Sequence, residues 1–200
     1  IELHPQTVTP SRLSVLADLG FTRISLGIQD FDPVVQDAVN RHQSVDETSA
    51  LIEKARALGM RSTNIDLIYG LPRQTLEGFG RTLQTVIDLR PDRIALYRYA
   101  HLPSRFKPQR QIVDAELPTG GESLDLMEMA LVRMADAGYV YIGMDHFALP
   151  EDELAVAQRE GRLRRDFQGY TARRPSDLIS FGVSAIGKIG SCYVQNTREL

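Results

Sequence analysis

Residues 62–69 read Ser-Thr-Asn-Ile-Asp-Leu-Ile-Tyr, a run rich in β-branched and apolar residues that predicts a strand. A helix is predicted before this strand, because Ser44 and Glu47 form a capping-box pattern. A second helix is predicted after it over residues 75–89, and Pro91 ends that helix. A strand between two helices is the repeating unit of an α/β fold with a parallel sheet.

The same alternation continues on both sides of this central unit, with Gly or Pro separating each helical pattern from the next strand pattern. Further helices are predicted over residues 9–19 and 122–137, and further strands over residues 21–28, 93–99 and 139–142. Such an order implies right-handed crossovers and a parallel sheet, either open or bent into a full or partial barrel.

The chain changes character at Pro150, beyond which a charged helix-like stretch precedes basic and glycine-rich ones. We therefore expect residues 1–149 to form one domain, an open sheet or a full or partial barrel, in a chain that is truncated at both ends. Residues 150–200 are expected to form an extension that covers the barrel mouth. Ile1 opens the chain as if at the end of a strand, so we expect an internal fragment.

Composition narrows the function classes. The single cysteine, Cys192, cannot form an internal disulfide or supply the several thiolates of an iron-sulfur cluster. A net charge of −3 without a long basic block argues against nucleic-acid binding. Since no apolar run approaches the ~20 residues that cross a bilayer, we expect no membrane span and a cytoplasmic protein.

Polar residues follow or interrupt the predicted strands near their C-terminal ends, where barrel enzymes keep their active sites. Asp66 interrupts a run otherwise suited to burial on both faces of a sheet. It is therefore either a core aspartate with buried partners or a ligand-binding carboxylate. Gln29 presents the same alternative. Arg41 follows a short helical turn over residues 33–39 and is either a surface arginine or a fixed cation for a carboxylate.

Two histidine positions leave a different chemistry open. His101, Asp145 and His146 are candidates for acid-base groups or for ligands of a metal-dependent barrel hydrolase, although satisfied structural histidines are commoner. Gly182 and Gly187 allow backbone to approach a ligand, but their spacing matches no phosphate-binding pattern. From the residues alone, the prediction stops at an α/β barrel-type enzyme with an unknown ligand.

Longer motifs go further, and they occur along nearly the whole chain. They are LGIQDF (26–31), NIDLIYGLP (64–72), YAHLP (99–103), IGMDHFA (142–148), DELAVAQ (152–158), FQGY (167–170) and GVSAI (182–186). Together they resemble the oxygen-independent coproporphyrinogen III oxidase family of radical S-adenosylmethionine enzymes, which implies that residues 1–149 form a partial TIM-like barrel whose first strands are missing. Haem-trafficking relatives without oxidase activity share the first two motifs in looser form, whereas IGMDHFA favours the oxidases.

The resemblance implies a reaction in which the cofactor supplies the difficult chemistry. Cluster-bound S-adenosylmethionine is cleaved to a 5′-deoxyadenosyl radical, which takes a hydrogen atom from a propionate side chain of coproporphyrinogen III. The substrate radical then loses CO2 and an electron, and two such rounds give the two vinyl groups of protoporphyrinogen IX. The implied partners are this substrate, an electron donor and an electron acceptor, and we expect a monomer.

The resemblance also implies where the cofactor binds, and two S-adenosylmethionine molecules can be held. The matching positions are Glu2, Gln29, Arg41, Asp66, the backbone at Ala100, and Ile186. Glu2 and Asp66 suit ribose hydroxyls or an amino group, and Arg41 suits a methionine carboxylate. No catalytic residue and no metal ligand is expected in this chain. The resemblance places the cysteines of the [4Fe-4S] cluster before Ile1 and a helical domain after Leu200, so the fragment alone is expected to be inactive.

The propionates of the substrate need cations, and 20 of the 23 basic residues are arginines. This bias reflects either genomic composition or recognition of carboxylates. The candidates in loops and late segments are Arg105, Arg110, Arg159, Arg162, Arg164 and Arg165.

Overall fold

The structure is a computed structural model that describes residues 1–166, 169–173 and 176–199. Within the FQGY motif, Phe167 and Gln168 lie outside these described residues. Inside the described ranges, no helix combines the length and the apolarity needed to span a bilayer.

The chain divides into two compact units, residues 1–156 and 157–200. The strands of the first unit are β1 (Glu2–Leu3), β2 (Arg23–Gln29), β3 (Ser62–Tyr69), β4 (Arg93–Arg98), β5 (Val140–Gly143) and β6 (His146–Ala148). Its helices are α1 (Pro10–Asp18), α2 (Pro33–Val39), α3 (Val45–Ala57), α4 (Leu76–Leu89) and α5 (Gly120–Asp136), and α6 (Glu153–Arg159) continues past residue 156. The alternation of strands and helices confirms the predicted α/β class.

Helix ends follow local capping chemistry. The predicted capping box of Ser44 and Glu47 is present at the start of α3. Helix α5 begins two residues before the predicted position, because Thr119 and Glu122 form a second capping box there. Reading that pair as a cap would have placed the start correctly.

The six strands of the first unit form one sheet in the order β1-β2-β3-β4-β6-β5. The first four strands run parallel, as predicted. In their register, Ser25 lies opposite both Glu2 and Asn64, and Asp66 lies between Gly27 and Ala95. Strand β6 runs antiparallel to both of its neighbours.

Strand β6 is an addition to the predicted strands, of which the last covers residues 139–142. Gly143 and Met144 adopt positive φ angles of 138° and 48°, and the chain reverses there. His146 therefore begins a strand that pairs with Ala95. Tight hairpin turns need positive φ, and a methionine at such a position gives no sequence signal for it.

Alternation along the central strands separates an apolar face from a polar one. The side chains buried on the helix side of β2 and β3 are Ile24, Leu26, Ile28, Thr63, Ile65 and Leu67. They contact a core contributed by four helices: Leu13, Leu51, Phe79, Leu83, Leu126 and Met134. The opposite face carries Ser25, Gly27, Asn64 and Asp66, all of them half-buried. The run around Asp66 is therefore buried on one face only, and the expectation of burial on both faces is wrong.

The second unit consists mainly of two antiparallel strand pairs. They are β7 (Arg164–Asp166) with β8 (Gly169–Thr171), and β9 (Ile186–Ile189) with β10 (Cys192–Gln195). A Cβ at Gly187 would lie 2.8 Å from the backbone oxygen of Leu178, so this glycine makes room for the chain's own backbone. That this part of the chain covers a barrel mouth stays a prediction.

Candidate functional site

The polar face of the sheet gathers carboxylates near the C-terminal ends of the strands. Glu2 on β1 lies in the same register row as Ser25 on β2, and Asp66 lies two register positions further along, on the same face. The neighbours of Asp66 across the sheet are Gly27 and Ala95, which have no side chain or only a methyl group. The Arg41 guanidinium occupies the space over Gly27, so Asp66 and this cation lie on the same polar face.

Asp66 is held by side-chain donors. Its carboxylate accepts hydrogen bonds from Ser25 Oγ at 2.9 Å and from Asn64 Nδ2 at 2.6 Å. Burial raises the pKa of Asp66, these two donors and Arg41 lower it, and the charge of Glu2 raises it. Hydrogen-bond acceptance capacity remains, since each carboxylate oxygen has two lone pairs.

Arg41 reaches back over the sheet from the loop after α2. Its Nη2 donates a hydrogen bond of 2.6 Å to the backbone oxygen of Gly27. Among the described residues, no carboxylate forms an ion pair with this guanidinium, and its buried Nε has no hydrogen-bond partner. Burial lowers the pKa of Arg41, and the charge of Asp66 opposes that shift. The cation is thus available for an anionic ligand group.

Gln29 ends β2 in an unusual conformation. Its φ is 70°, and the pairing with β3 slips by one residue between Gly27 and Gln29, as in a β-bulge. Bulges next to active sites re-aim side chains. Because positive φ is uncommon for a residue with a Cβ, this conformation marks Gln29 as a functional candidate.

A cavity of about 480 Å³ opens beside the ends of β2, β3 and β4. Its walls include Gln29, Asn40, Arg41, Ile68, Leu71, Tyr99, Gln109 and Ile112. Ala100 follows Tyr99 directly, and its backbone oxygen accepts a hydrogen bond of 2.9 Å from Gln109 Nε2. The volume lies within the range of small-molecule sites, and the mixed lining fits a ligand with a carboxylate and an apolar part.

Of the predicted site residues, Gln29 and Arg41 share this cavity, and Asp66 and Glu2 lie on the adjoining polar face. Ala100 lies beside the cavity wall. Ile186 belongs to the second unit, where it begins β9 and is 36% exposed. Its role stays a prediction.

The histidines have other partners than a hydrolase site requires. His101 contacts the Tyr99 hydroxyl through Nδ1 at 3.2 Å and the Asp114 carboxylate through Nε2 at 3.0 Å. His146 packs edge-on against the ring of Tyr97. Within the part of the chain that the structure describes, no three His, Cys, Asp or Glu side chains converge to hold a metal ion. The structure therefore does not favour the hydrolase alternative.

The sequence reading missed Ser25 and Gly27. A Cβ at Gly27 would lie 2.8 Å from Arg41 Nη2, so glycine is what lets the guanidinium reach the sheet. The alternation of Arg23, Ser25 and Gly27 with three large aliphatic residues is the signal that would have placed both on the polar face.

Comparisons with known proteins identify relatives of this chain. Residues 1–86 match the sequence profile of the Radical SAM superfamily. Over all 200 residues, the chain is 52% identical to the oxygen-independent coproporphyrinogen III oxidases of Pseudomonas aeruginosa and of Escherichia coli. It spans 44% of the length of each of these relatives.

A solved structure gives the same result for the fold. The coproporphyrinogen III oxidase from Escherichia coli, described as a radical SAM enzyme, superposes on the chain with a TM-score of 0.97 and 51% sequence identity. The match covers 100% of this chain and 46% of that one. The fold is thus shared over the full length of the chain, and within it the first unit has the parallel strands that alternate with helices.

Proposed function

Because the chain belongs to the radical S-adenosylmethionine superfamily, we propose that the whole protein containing it is an oxygen-independent coproporphyrinogen III oxidase. It oxidatively decarboxylates two propionate side chains of coproporphyrinogen III and forms the two vinyl groups of protoporphyrinogen IX. We place this activity in the cytoplasm and assign it to a monomer that exchanges electrons with a donor and an acceptor.

The observation that carries the proposal is the 52% identity to curated oxidases over every residue of the chain. The site supports it independently. Three features meet near the C-terminal ends of the strands: a cavity of suitable size, two exposed or half-buried carboxylates, and an arginine without an ion-pair partner in the described part of the chain.

We assign the residues of this site by their chemistry. When bound, S-adenosylmethionine supplies the radical that removes a hydrogen atom from each propionate. Arg41 binds the methionine carboxylate through a guanidinium fork. Glu2 and Asp66 accept hydrogen bonds from ribose hydroxyls or from the amino group. Gln29, the backbone at Ala100, and Ile186 complete the contacts and orient the cofactor.

Two S-adenosylmethionine molecules are proposed for the whole protein. The polar face with Glu2 and Asp66 and the cavity with Gln29 and Arg41 offer two adjacent sets of polar groups. The residues of this chain do not fit the [4Fe-4S] cluster, because its one cysteine, Cys192, is exposed and a cluster needs several thiolates.

We propose that arginines bind the propionates of the substrate. Arg105 and Arg110 belong to the first unit and are exposed. In the second unit, Arg164 and Arg165 are exposed, whereas Arg162 is paired with Glu160 through Nε at 2.7 Å. We therefore rank Arg162 below the others as a propionate ligand.

The test is an anaerobic assay of the whole protein with coproporphyrinogen III, S-adenosylmethionine and a reductant. We expect protoporphyrinogen IX together with methionine and 5′-deoxyadenosine, and lower yields of all three products in Arg41→Ala. Stable haem binding without vinyl product would instead assign the protein to the haem-trafficking relatives. Calorimetric stoichiometry with S-adenosylmethionine tests the second cofactor site.

A further inference from the structure

The turn that carries Gln29 is held in a strained form. The backbone N–H of Asp30 donates to the backbone oxygen of Ile28 at 2.9 Å, and φ of the intervening Gln29 is 70°. This is a classic γ-turn, which is rare because its central residue is strained. Such a conformation persists only where the surrounding structure over-determines it.

The Asp30 carboxylate lies at the centre of the hydrogen-bond network that holds this turn. Its side chain is 2% exposed and does not line the cavity. It accepts hydrogen bonds from the Thr82 hydroxyl on α4, from Gln74 Nε2 at 2.6 Å and from the backbone N–H of Asp32 at 2.8 Å. A buried carboxylate is stable only with such donors, so its position is specified by all three.

Gln74 extends this network to the other wall of the cavity. Its Nε2 also donates to the backbone oxygen of Ile68 at 3.0 Å, and its Oε1 accepts from the backbone N–H of Gly70 at 2.6 Å. Ile68 lines the cavity. One side-chain amide therefore links the ends of β2 and β3, which carry two walls of the same cavity.

A second pair of amides supports the far side of the turn. Gln36 Nε2 donates to the backbone oxygens of Asp30 at 2.9 Å and of Gln43 at 3.0 Å. The side-chain amide of Gln43 donates to the backbone oxygen of Ile28. Both residues that flank Gln29 are thus fixed by buried groups.

Resting on the proposed function, we propose that Asp30 is a positioning residue for the cofactor. Held by Thr82 and Gln74, it keeps the γ-turn formed and so aims Gln29 into the cavity. When a donor to Asp30 is lost, the turn relaxes towards ordinary extended backbone and Gln29 leaves the cavity wall. Cofactor affinity then falls although no group that touches the cofactor has changed.

Thr82 offers a matched pair of variants. Thr82→Val keeps the shape of the side chain and removes the hydroxyl, whereas Thr82→Ser keeps the hydroxyl. We titrate the whole protein with S-adenosylmethionine in a calorimeter, well below the melting temperature of each variant. We expect about tenfold weaker binding for Thr82→Val and a change below about twofold for Thr82→Ser.

Two controls separate positioning from a loss of stability. Leu126→Ala removes a core side chain on α5 that is 1% exposed, and it is expected to lower the melting temperature without weakening binding. If Asp30 acts through Gln29, then Thr82→Val has no further effect on affinity in a Gln29→Ala background. Asp30→Asn, which removes the acceptor facing Gln74, replaces Thr82→Val if that variant does not fold.

The outcomes are distinct. The positioning role is overturned if the wild type and Thr82→Val bind S-adenosylmethionine with equal affinity. It is also overturned if Thr82→Val and Leu126→Ala lose the same affinity for the same drop in melting temperature. Additive effects of Thr82→Val and Gln29→Ala also overturn it. Failure of the wild type to bind S-adenosylmethionine contradicts the proposed function itself.

Discussion

The hydroxyl of Ser25 on β2 donates a hydrogen bond of 2.9 Å to the carboxylate of Asp66 on the neighbouring strand β3. Asn64 donates a second one at 2.6 Å. These contacts stabilise a charge that burial disfavours, because hydrogen bonds to the ionised form lower the pKa and desolvation raises it. The ionisation of Asp66 therefore depends on Ser25.

Ser25→Ala is expected to raise the pKa of Asp66 further, since it removes a donor to the charged form. Carbon-13 NMR of the Asp66 carboxyl across a pH titration measures this shift. Ser25→Thr keeps the hydroxyl and is the control. An unchanged titration in Ser25→Ala would mean that Asn64 alone stabilises the charge.

Asp66→Asn is expected to stabilise the fold above the pKa of Asp66 and to weaken cofactor binding. The pKa of Asp66 is raised in the folded state, so its contribution to stability is present below the unfolded pKa and is lost as the pH rises through the folded one. The variant avoids that loss. We expect a higher melting temperature than the wild type at neutral pH, and no gain in acid. A lower melting temperature at neutral pH would contradict this assignment.

Arg41→Ala is expected to weaken S-adenosylmethionine binding by about 10- to 100-fold with little change in stability, because a charge-assisted fork is lost. Arg41→Lys is expected to bind S-adenosylmethionine with an affinity between those of the wild type and Arg41→Ala, since lysine keeps the charge without the guanidinium fork. The exposed Arg81, whose side chain is 63% accessible, provides the control Arg81→Ala. Calorimetric titration checks all three, and equal affinity of Arg41→Ala and Arg81→Ala would remove Arg41 from the site.

Sequence patterns predicted most helices and strands of the first unit and singled out Asp66 and Gln29 as candidates, but they did not predict the contacts between these residues and others. Asp66 stood out because a carboxylate in an apolar strand needs an explanation. The donors that hold it come partly from another strand, and Ser25 is an ordinary residue until the register is known. Likewise, the γ-turn at Gln29 depends on Thr82, which is 53 positions away along the chain. Patterns of three or four residues carry no information on such pairs.

Gly27→Ala is expected to lower cofactor affinity without unfolding the protein. The added Cβ would lie 2.8 Å from Arg41 Nη2 and 3.0 Å from Gln29 Nε2, and both of these are ends of flexible side chains that can move. Displacing them moves two of the proposed cofactor ligands. Gly120→Ala is the control, because a Cβ there meets nothing within 4 Å. If Gly27→Ala binds the cofactor like Gly120→Ala, the close approach of Arg41 to the sheet is not needed for binding.

Asp152→Ala is expected to reduce stability while leaving cofactor affinity unchanged. The Asp152 side chain is 5% exposed, accepts from Arg93 Nε at 2.9 Å and also accepts from the backbone N–H of Leu154 at 2.8 Å, at the start of α6. Removing it takes away a helix cap and one partner of a largely buried guanidinium, which together contribute about 2–3 kcal/mol. The melting temperature should fall by roughly 4–12 °C.

A surface pair serves as the control for this loss. Glu77 forms an ion pair with Arg81 at 2.7 Å, but its side chain is 88% exposed, so Glu77→Ala should change the free energy of unfolding by less than about 0.5 kcal/mol. Thermal melts of both variants measure the difference. Arg93 is the first residue of β4, whereas the proposed cofactor site lies near the C-terminal ends of the parallel strands. Weaker cofactor binding in Asp152→Ala would therefore show that the two ends of the sheet are coupled, and would contradict a purely structural role for this ion pair.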